Sequence, residues 1–232
     1  MMNEIVNRVE AVRSRLSRAA IERWGRVPEI VAVSKTIPPE TVNLVKSAGI
    51  VRLGENRAQE ILEKYPYLDS SFQIDMIGRL QSNKVKYIID KVSMIQSVDR
   101  ESLALEIDRL AQQRRITMPV LIQVNIGDEP QKGGVAADDL FVFARRIARL
   151  PGMKVRGLMA VMPDIDDQQF LRPYFTRMRM LYEQLQQEAI EGTRIDTLSM
   201  GMSGDYELAA QEGATVVRIG SAIFGSRNYM QK

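Results

Sequence analysis

The strongest constraint in this chain is a repeated alternation: short apolar runs, each followed by a segment of helical periodicity. Strand-like runs stand at 29–35 (EIVAVSK), 50–55 (IVRLGE), 72–78 (FQIDMIG), 92–98 (VSMIQSV), 119–126 (PVLIQVNI), 155–162 (VRGLMAVM), 195–201 (IDTLSMG) and 215–220 (TVVRIG). Helix-period segments at 39–48, 57–65, 82–90, 100–115, 136–150, 167–190 and 205–212 separate them. A further helix is expected over residues 3–24, and one short segment follows the last run. Punctuation agrees with the alternation. Pro39 suits the first turn of a helix, Asp99 can cap the helix beginning RESLAL, and Gly49, Gly152, Gly192 and Gly213 can stop helices. Strands that are apolar on both faces and alternate with helices close into a parallel (β/α)8 barrel. No linker or internal repeat divides the sequence. The expected fold is therefore α/β: a single-domain (β/α)8 TIM barrel over residues 1–232 with an extra N-terminal helix.

Barrels of this kind build their sites at the C-terminal ends of the strands. Those ends carry Lys35, Glu55-Asn56, Ile77-Gly78, Ser97, Asn125, Met162, Met202-Ser203-Gly204 and Gly220-Ser221. Met159, Met162 and Met200 read as core filling. Lys35 closes an apolar run just before Pro38-Pro39, and two readings of it stand. Either it leaves the strand for solvent, or it stays partly buried, where desolvation favours the neutral amine. A neutral amine attacks an aldehyde and forms a Schiff base. Loops after strands seven and eight often hold a phosphate in these barrels. Ser203-Gly204 and Gly220-Ser221 supply close backbone approach, outward N–H groups and hydroxyls at those two loops. An amine on one side and a phosphate cradle on the other point to a phosphorylated aldehyde.

Composition narrows the chemistry. The 232 residues include no Cys and no His, which excludes disulfides, thiol nucleophiles, Ser-His-Asp triads and nearly all zinc sites. Lysine, tyrosine, carboxylates, backbone amides or a borrowed cofactor must do the work. A net charge of +3, with no basic run interleaved with aromatics, argues against nucleic acid. No apolar stretch is long enough to span a bilayer. The N-terminal MMNEIVNRVEAVRSRL is charged and amphipathic, fitting neither a signal peptide nor an anchor. The expected location is the cytoplasm.

Six segments carry a family resemblance: 31–35 (VAVSK), 54–60 (GENRAQE), 77–84 (IGRLQSNK), 126–134 (IGDEPQKGG), 156–163 (RGLMAVMP) and 199–225 (SMGMSGDYELAAQEGATVVRIGSAIFG). Together they resemble the YggS/PROSC family of pyridoxal 5'-phosphate (PLP) homeostasis proteins. The resemblance implies a barrel similar to the N-terminal domain of alanine racemase, with PLP held as an internal aldimine on Lys35. It also implies that Asn56 lies beside the cofactor, that Ser203, Gly204, Gly220 and Ser221 hold its phosphate, and that Arg218 faces the pyridine nitrogen. An arginine only donates hydrogen bonds, so it favours an unprotonated ring and a weaker electron sink. The alternative for Arg218 is a barrel-layer or loop arginine in a salt bridge.

One departure from the family is Asp75, which occupies a slot where relatives commonly carry histidine. Two roles are open for it: holding a Schiff base protonated, or lying at the surface or in a salt bridge with no part in the chemistry. A PLP racemase needs acid/base groups on both faces of its substrate. In alanine racemases the second comes from a C-terminal domain, and this sequence continues only a few residues past its last strand. The expected role is thus a monomeric, non-catalytic PLP carrier that serves recipient PLP enzymes. A PLP-dependent racemase or lyase, and an aldolase-type barrel using Lys35 directly, are the alternatives.

Overall fold

All eight apolar runs become strands in the computed structural model, which describes residues 2–225. They are β1 Glu29–Val33, β2 Arg52–Glu55, β3 Gln73–Met76, β4 Met94–Val98, β5 Met118–Asn125, β6 Met153–Met159, β7 Thr197–Ser199 and β8 Val216–Ile219. Each pairs in parallel with its sequence neighbours, and β8 returns to β1, so the sheet closes. A two-residue strand, Val135–Ala136, adds to the outer end of β5. The barrel forms one domain; residues 226–232 of the expected 1–232 span lie outside the described residues.

Helix α1, Met2–Trp24, precedes the barrel. The connecting helices are α2 Pro39–Asn43, α3 Ala58–Lys64, α4 Val85–Ile88, α5 Glu101–Gln113, α6 Leu140–Ile147, α7 Gln168–Gln187, α8 Tyr206–Gln211 and α9 Ser221–Phe224. The last is a single turn, too short to cover its part of the outer wall. Helix α1 fills that gap, burying a stripe of Ile5, Val9, Val12, Leu16 and Ala20 at helical spacing. Its end is pinned by Trp24, whose ring N–H donates to the Gln211 carbonyl at 3.0 Å.

Strand alternation sorts side chains into two compartments. Ile30, Ala32, Leu53, Ile74, Ile95, Val120, Ile122, Leu158, Leu198, Val217 and Ile219 join the large core between strands and helices. Inside the barrel sits a small separate cluster of Met94, Leu121 and Met159. Much of the rest of the interior is polar, as described below, alongside inward valines such as Val31. Met159, Met162 and Met200 are all buried, as core filling requires.

Two local expectations change. Asp99 does not cap α5: the N-cap is Arg100, and the Asp99 carboxylate accepts instead from the Arg100 guanidinium at 2.6 Å. Gly152 does not end a helix in the left-handed conformation; a side chain there would come within 2.6 Å of the Asp108 carbonyl. Gly49 does stop its helical turn with φ 69°.

Candidate functional site

Lys35 lies just beyond β1, in a turn, and is half-buried. It thus combines the two sequence readings: it leaves the strand, yet stays on the side of the barrel interior. Parity with Val31 and Val33 sets that direction, since Val31 is the wall that a side chain at Gly54 would strike. Thr36, the next residue, has φ 65°. For a β-branched residue that left-handed conformation costs about 1–2 kcal/mol. The Ile37 amide donates to the Ser34 carbonyl at 3.0 Å and closes a turn whose third residue is the strained one. Glycine is the usual occupant of such a third position.

An ion cluster outside the barrel wall grips this turn. The Lys64 ammonium, from the last turn of α3, donates to the Ser34 carbonyl at 2.6 Å, to Glu55 Oε1 at 2.8 Å and to Glu60 Oε2 at 3.3 Å. The Ser34 hydroxyl donates to the same Glu55 oxygen at 2.7 Å. Glu60 Oε2 also accepts the Thr36 amide at 2.9 Å. Glu55 and Lys64 are buried, and Glu55 Oε2 has no hydrogen-bond partner among the described residues. Burial pushes the Glu55 carboxyl up, against the opposing pull of Lys64 and Ser34. Burial also opposes ionisation of Glu60, yet the Thr36 amide and Lys64 hold its carboxyl below the ordinary range.

Asn56 stands level with Lys35 on the adjacent strand end, because Val33 and Gly54 are register partners. It is half-buried and borders a cavity of about 520 Å³ together with Arg57, Arg79, Lys84 and Arg100. Gly78 packs against its backbone so closely that any side chain would come within 2.2 Å of the Asn56 carbonyl oxygen.

Ser203 and Gly204 occupy the turn between β7 and α8, while Gly220 and Ser221 open α9. The structure joins the two loops. The Ser203 hydroxyl accepts the Gly220 amide at 3.1 Å and the Ala222 amide at 3.2 Å, so a neighbouring loop caps α9. Among the described residues the amides of Ser203, Gly204 and Ser221 make no hydrogen bond, and a side chain at Gly204 would meet nothing within 4 Å. Three unpaired amide donors thus lie on two joined loops, with open space beside Gly204, which suits an anion. Gly220 lies against Val33, two residues before Lys35, so this cradle and the lysine occupy adjacent strand ends.

Arg218 lies one inward position deeper than Gly220, level with Val31. Its guanidinium donates to the Ser199 hydroxyl and to the Ala160 carbonyl, each at 2.7 Å, with no salt bridge among the described residues. Burial lowers its pKa to about 10, so it stays charged at neutral pH. The contacts continue down the barrel. Ser199 donates to Gln96 Oε1 at 2.7 Å, and the Gln96 amide nitrogen donates to Asp75 Oδ2 at 2.5 Å. Arg52 donates to that oxygen from Nε at 2.9 Å and to Glu29 at 2.7 Å. Asp75 is therefore the salt-bridged aspartate of the two roles left open.

Sequence reasoning singled out Lys35, Asn56, Arg218 and both Ser/Gly pairs, and the structure gathers them at one end of the barrel. It missed Ser34, Glu60, Lys64, Gln96 and Ser199. The one available signal was Glu55, a carboxylate inside an apolar run.

The closed (β/α)8 barrel, with a half-buried lysine just past its first strand and an amide-bearing cradle after its last two, matches the alanine racemase N-terminal type. The family model described as "Alanine racemase, N-terminal domain" matches residues 8–228. An alanine racemase from Clostridium difficile shares the fold at 12% identity with a TM-score of 0.72, over 99% of this chain and 60% of that one. Closer in sequence is a pyridoxal phosphate homeostasis protein of Aquifex aeolicus, 43% identical over 96% of this chain and 98% of its own length. PipY of Synechococcus elongatus, solved with PLP bound, is 31% identical with a TM-score of 0.84, over 95% of this chain and 100% of that one. The chain belongs to the pyridoxal phosphate homeostasis protein family.

Proposed function

We propose that this protein binds PLP through Lys35 and acts in PLP homeostasis as a carrier without catalytic turnover. PLP supplies an aldehyde for an amine and a phosphate for backbone amides. The residues present fit both ends. The observation that carries the reading is the Ser203–Gly220 hydrogen bond, which ties the two loops into one cradle beside the strand that bears Lys35. In this reading the amides of Ser203, Gly204 and Ser221 hold the phosphate, with the Ser221 hydroxyl beside them. Asn56 borders the ring and Arg218 donates towards the ring nitrogen. A charged arginine there disfavours protonation of the ring, which weakens the electron sink that racemases and lyases use.

The carrier role is supported by relatives named for homeostasis that match this chain over nearly their whole length. In this reading the protein is a cytoplasmic monomer that passes PLP to recipient enzymes. No helix among the described residues is long and apolar enough to cross a membrane. The test is an absorbance spectrum of protein purified with PLP, then borohydride reduction and peptide mapping. A visible band fixed on Lys35, with no steady-state conversion of amino acids, is expected. A colourless protein, a label on Lys84 or Lys132, or catalytic interconversion of D- and L-amino acids would each overturn the reading.

A further inference from the structure

Both peptide groups that flank the Lys35 α-carbon are held by one ion cluster. The carbonyl on its N-terminal side accepts from Lys64, and the amide on its C-terminal side donates to Glu60. Glu55 ties Lys64 and the Ser34 side chain together behind them. A cluster of two carboxylates and one ammonium, with Glu55 and Lys64 buried and Glu60 half-buried, is weak as a source of stability, because desolvation offsets most of the attraction. Its targets say more than its energy. Of all the backbone within reach of α3, it engages the two peptide groups that orient one lysine, and the strained φ of Thr36 follows directly after the second. Strained backbone persists where surrounding contacts over-determine it, and it clusters at functional positions.

We propose that Lys64, Glu55 and Glu60 are positioning residues that hold the Ser34–Ile37 turn in its left-handed form and so aim the Lys35 amine into the barrel mouth. The proposal rests on the PLP reading of Lys35. A lysine side chain has four rotatable bonds, so its amine is located only as well as its backbone is. The cluster fixes that backbone from outside the wall and leaves the interior free for the ligand. Glu60, Lys64 and Thr36 also border a cavity of about 680 Å³ on the outer surface, so changes at these positions do not overpack the core.

Glycine at position 36 adopts the same conformation without strain, and this separates positioning from general stability. The experiment compares wild type, Glu60→Ala, Lys64→Met and the double variant Glu60→Ala/Thr36→Gly. Two quantities are read: hydrogen exchange of the Ile37 amide in cofactor-free protein, and PLP affinity by absorbance titration. Both single variants should exchange Ile37 about tenfold faster and bind PLP about tenfold more weakly. In the double variant both values should return most of the way to wild type. Wild-type affinity in the single variants, while wild type itself takes up PLP, would overturn the positioning role alone. So would equal losses in Glu60→Ala and the double variant, because relief of strain at 36 would then have no effect. Wild type that takes up no PLP would overturn the PLP reading and the role built on it.

Discussion

The Arg218 guanidinium and the Ser199 hydroxyl lie 2.7 Å apart, and through Ser199 the arginine is tied to Gln96, Asp75 and Arg52 in a hydrogen-bonded line across the barrel. Each link has one donor and one acceptor assignment. Arg218 can only donate, so Ser199 must accept from it and pass its own proton to the Gln96 oxygen. The Gln96 amide nitrogen is then left for Asp75.

Ser199→Ala breaks this line in its middle. It leaves one Arg218 nitrogen and the Gln96 oxygen without partners in a space closed to water. A buried polar group left unpaired costs about 1–3 kcal/mol, so a loss of about 2 kcal/mol is expected from urea unfolding. Ser199→Thr, which keeps the hydroxyl, should recover most of it. Equal stability of Ser199→Ala and wild type would show that Arg218 does not depend on this contact.

Lys35→Ala should abolish the visible band and the borohydride label while leaving the fold intact. The side chain sits in a half-buried turn rather than in the core. The melting temperature of the cofactor-free protein should therefore shift by no more than a few degrees, within about 1 kcal/mol. Retention of a reducible band in this variant would place the cofactor on another lysine.

Ser203→Ala separates the two ends of the ligand. It releases the Gly220 and Ala222 amides from the hydroxyl that orders them, so the phosphate cradle loosens and Lys35 is untouched. PLP affinity should fall about tenfold, or about 1.4 kcal/mol, while affinity for unphosphorylated pyridoxal stays unchanged. Parallel loss of both ligands would mean that Ser203 serves the fold and not the phosphate.

What the sequence made legible follows from which contacts are local. The eight strands showed because a strand buried on both faces is an apolar run, whatever it packs against. Lys35 showed because a charge at the end of such a run is conspicuous. The serines and glycines showed as residue types, but not that Ser203 would cap α9 from a neighbouring loop. Lys64 was hidden: with Glu60 four residues earlier it looks like an ordinary surface pair on a helix. Only the packing of α3 against β1 and β2 turns it inward to Ser34 and Glu55. Asp75 was ambiguous for a related reason. Its partner Arg52 is set by strand pairing and by the inward parity of both residues, and one sequence does not reveal which charges a barrel interior brings together.

Asp75 also makes a prediction about pH. Burial raises its carboxyl from the ordinary 3.8 to about 6, against the opposing pull of Arg52 and Gln96. The folded protein therefore holds this proton more tightly than the unfolded chain does. The resulting stabilisation is complete below pH 3.8 and is lost as pH rises through about 6. By pH 7 the ionised, buried carboxylate has given up about 3 kcal/mol. Other carboxyls are shifted by folding too: burial raises Glu55 and Asp205, while their hydrogen-bond and charge partners lower Asp196 and Glu60. The Asp75 contribution must therefore be read as a difference between two proteins. Asp75→Asn resembles the protonated form and cannot titrate, and its side-chain oxygen can still accept from Gln96 and Arg52. The stability of wild type relative to Asp75→Asn should fall by about 2 kcal/mol between pH 4 and pH 7.5, with half of the total loss reached near pH 5, between the unfolded and folded pKa values. Urea unfolding across that range measures the difference, and the carboxyl carbon shift of Asp75 by NMR measures its folded-state pKa, expected near 6, directly. A constant difference, or a midpoint below pH 4, would show that Arg52 and Gln96 fully offset the burial of this carboxylate.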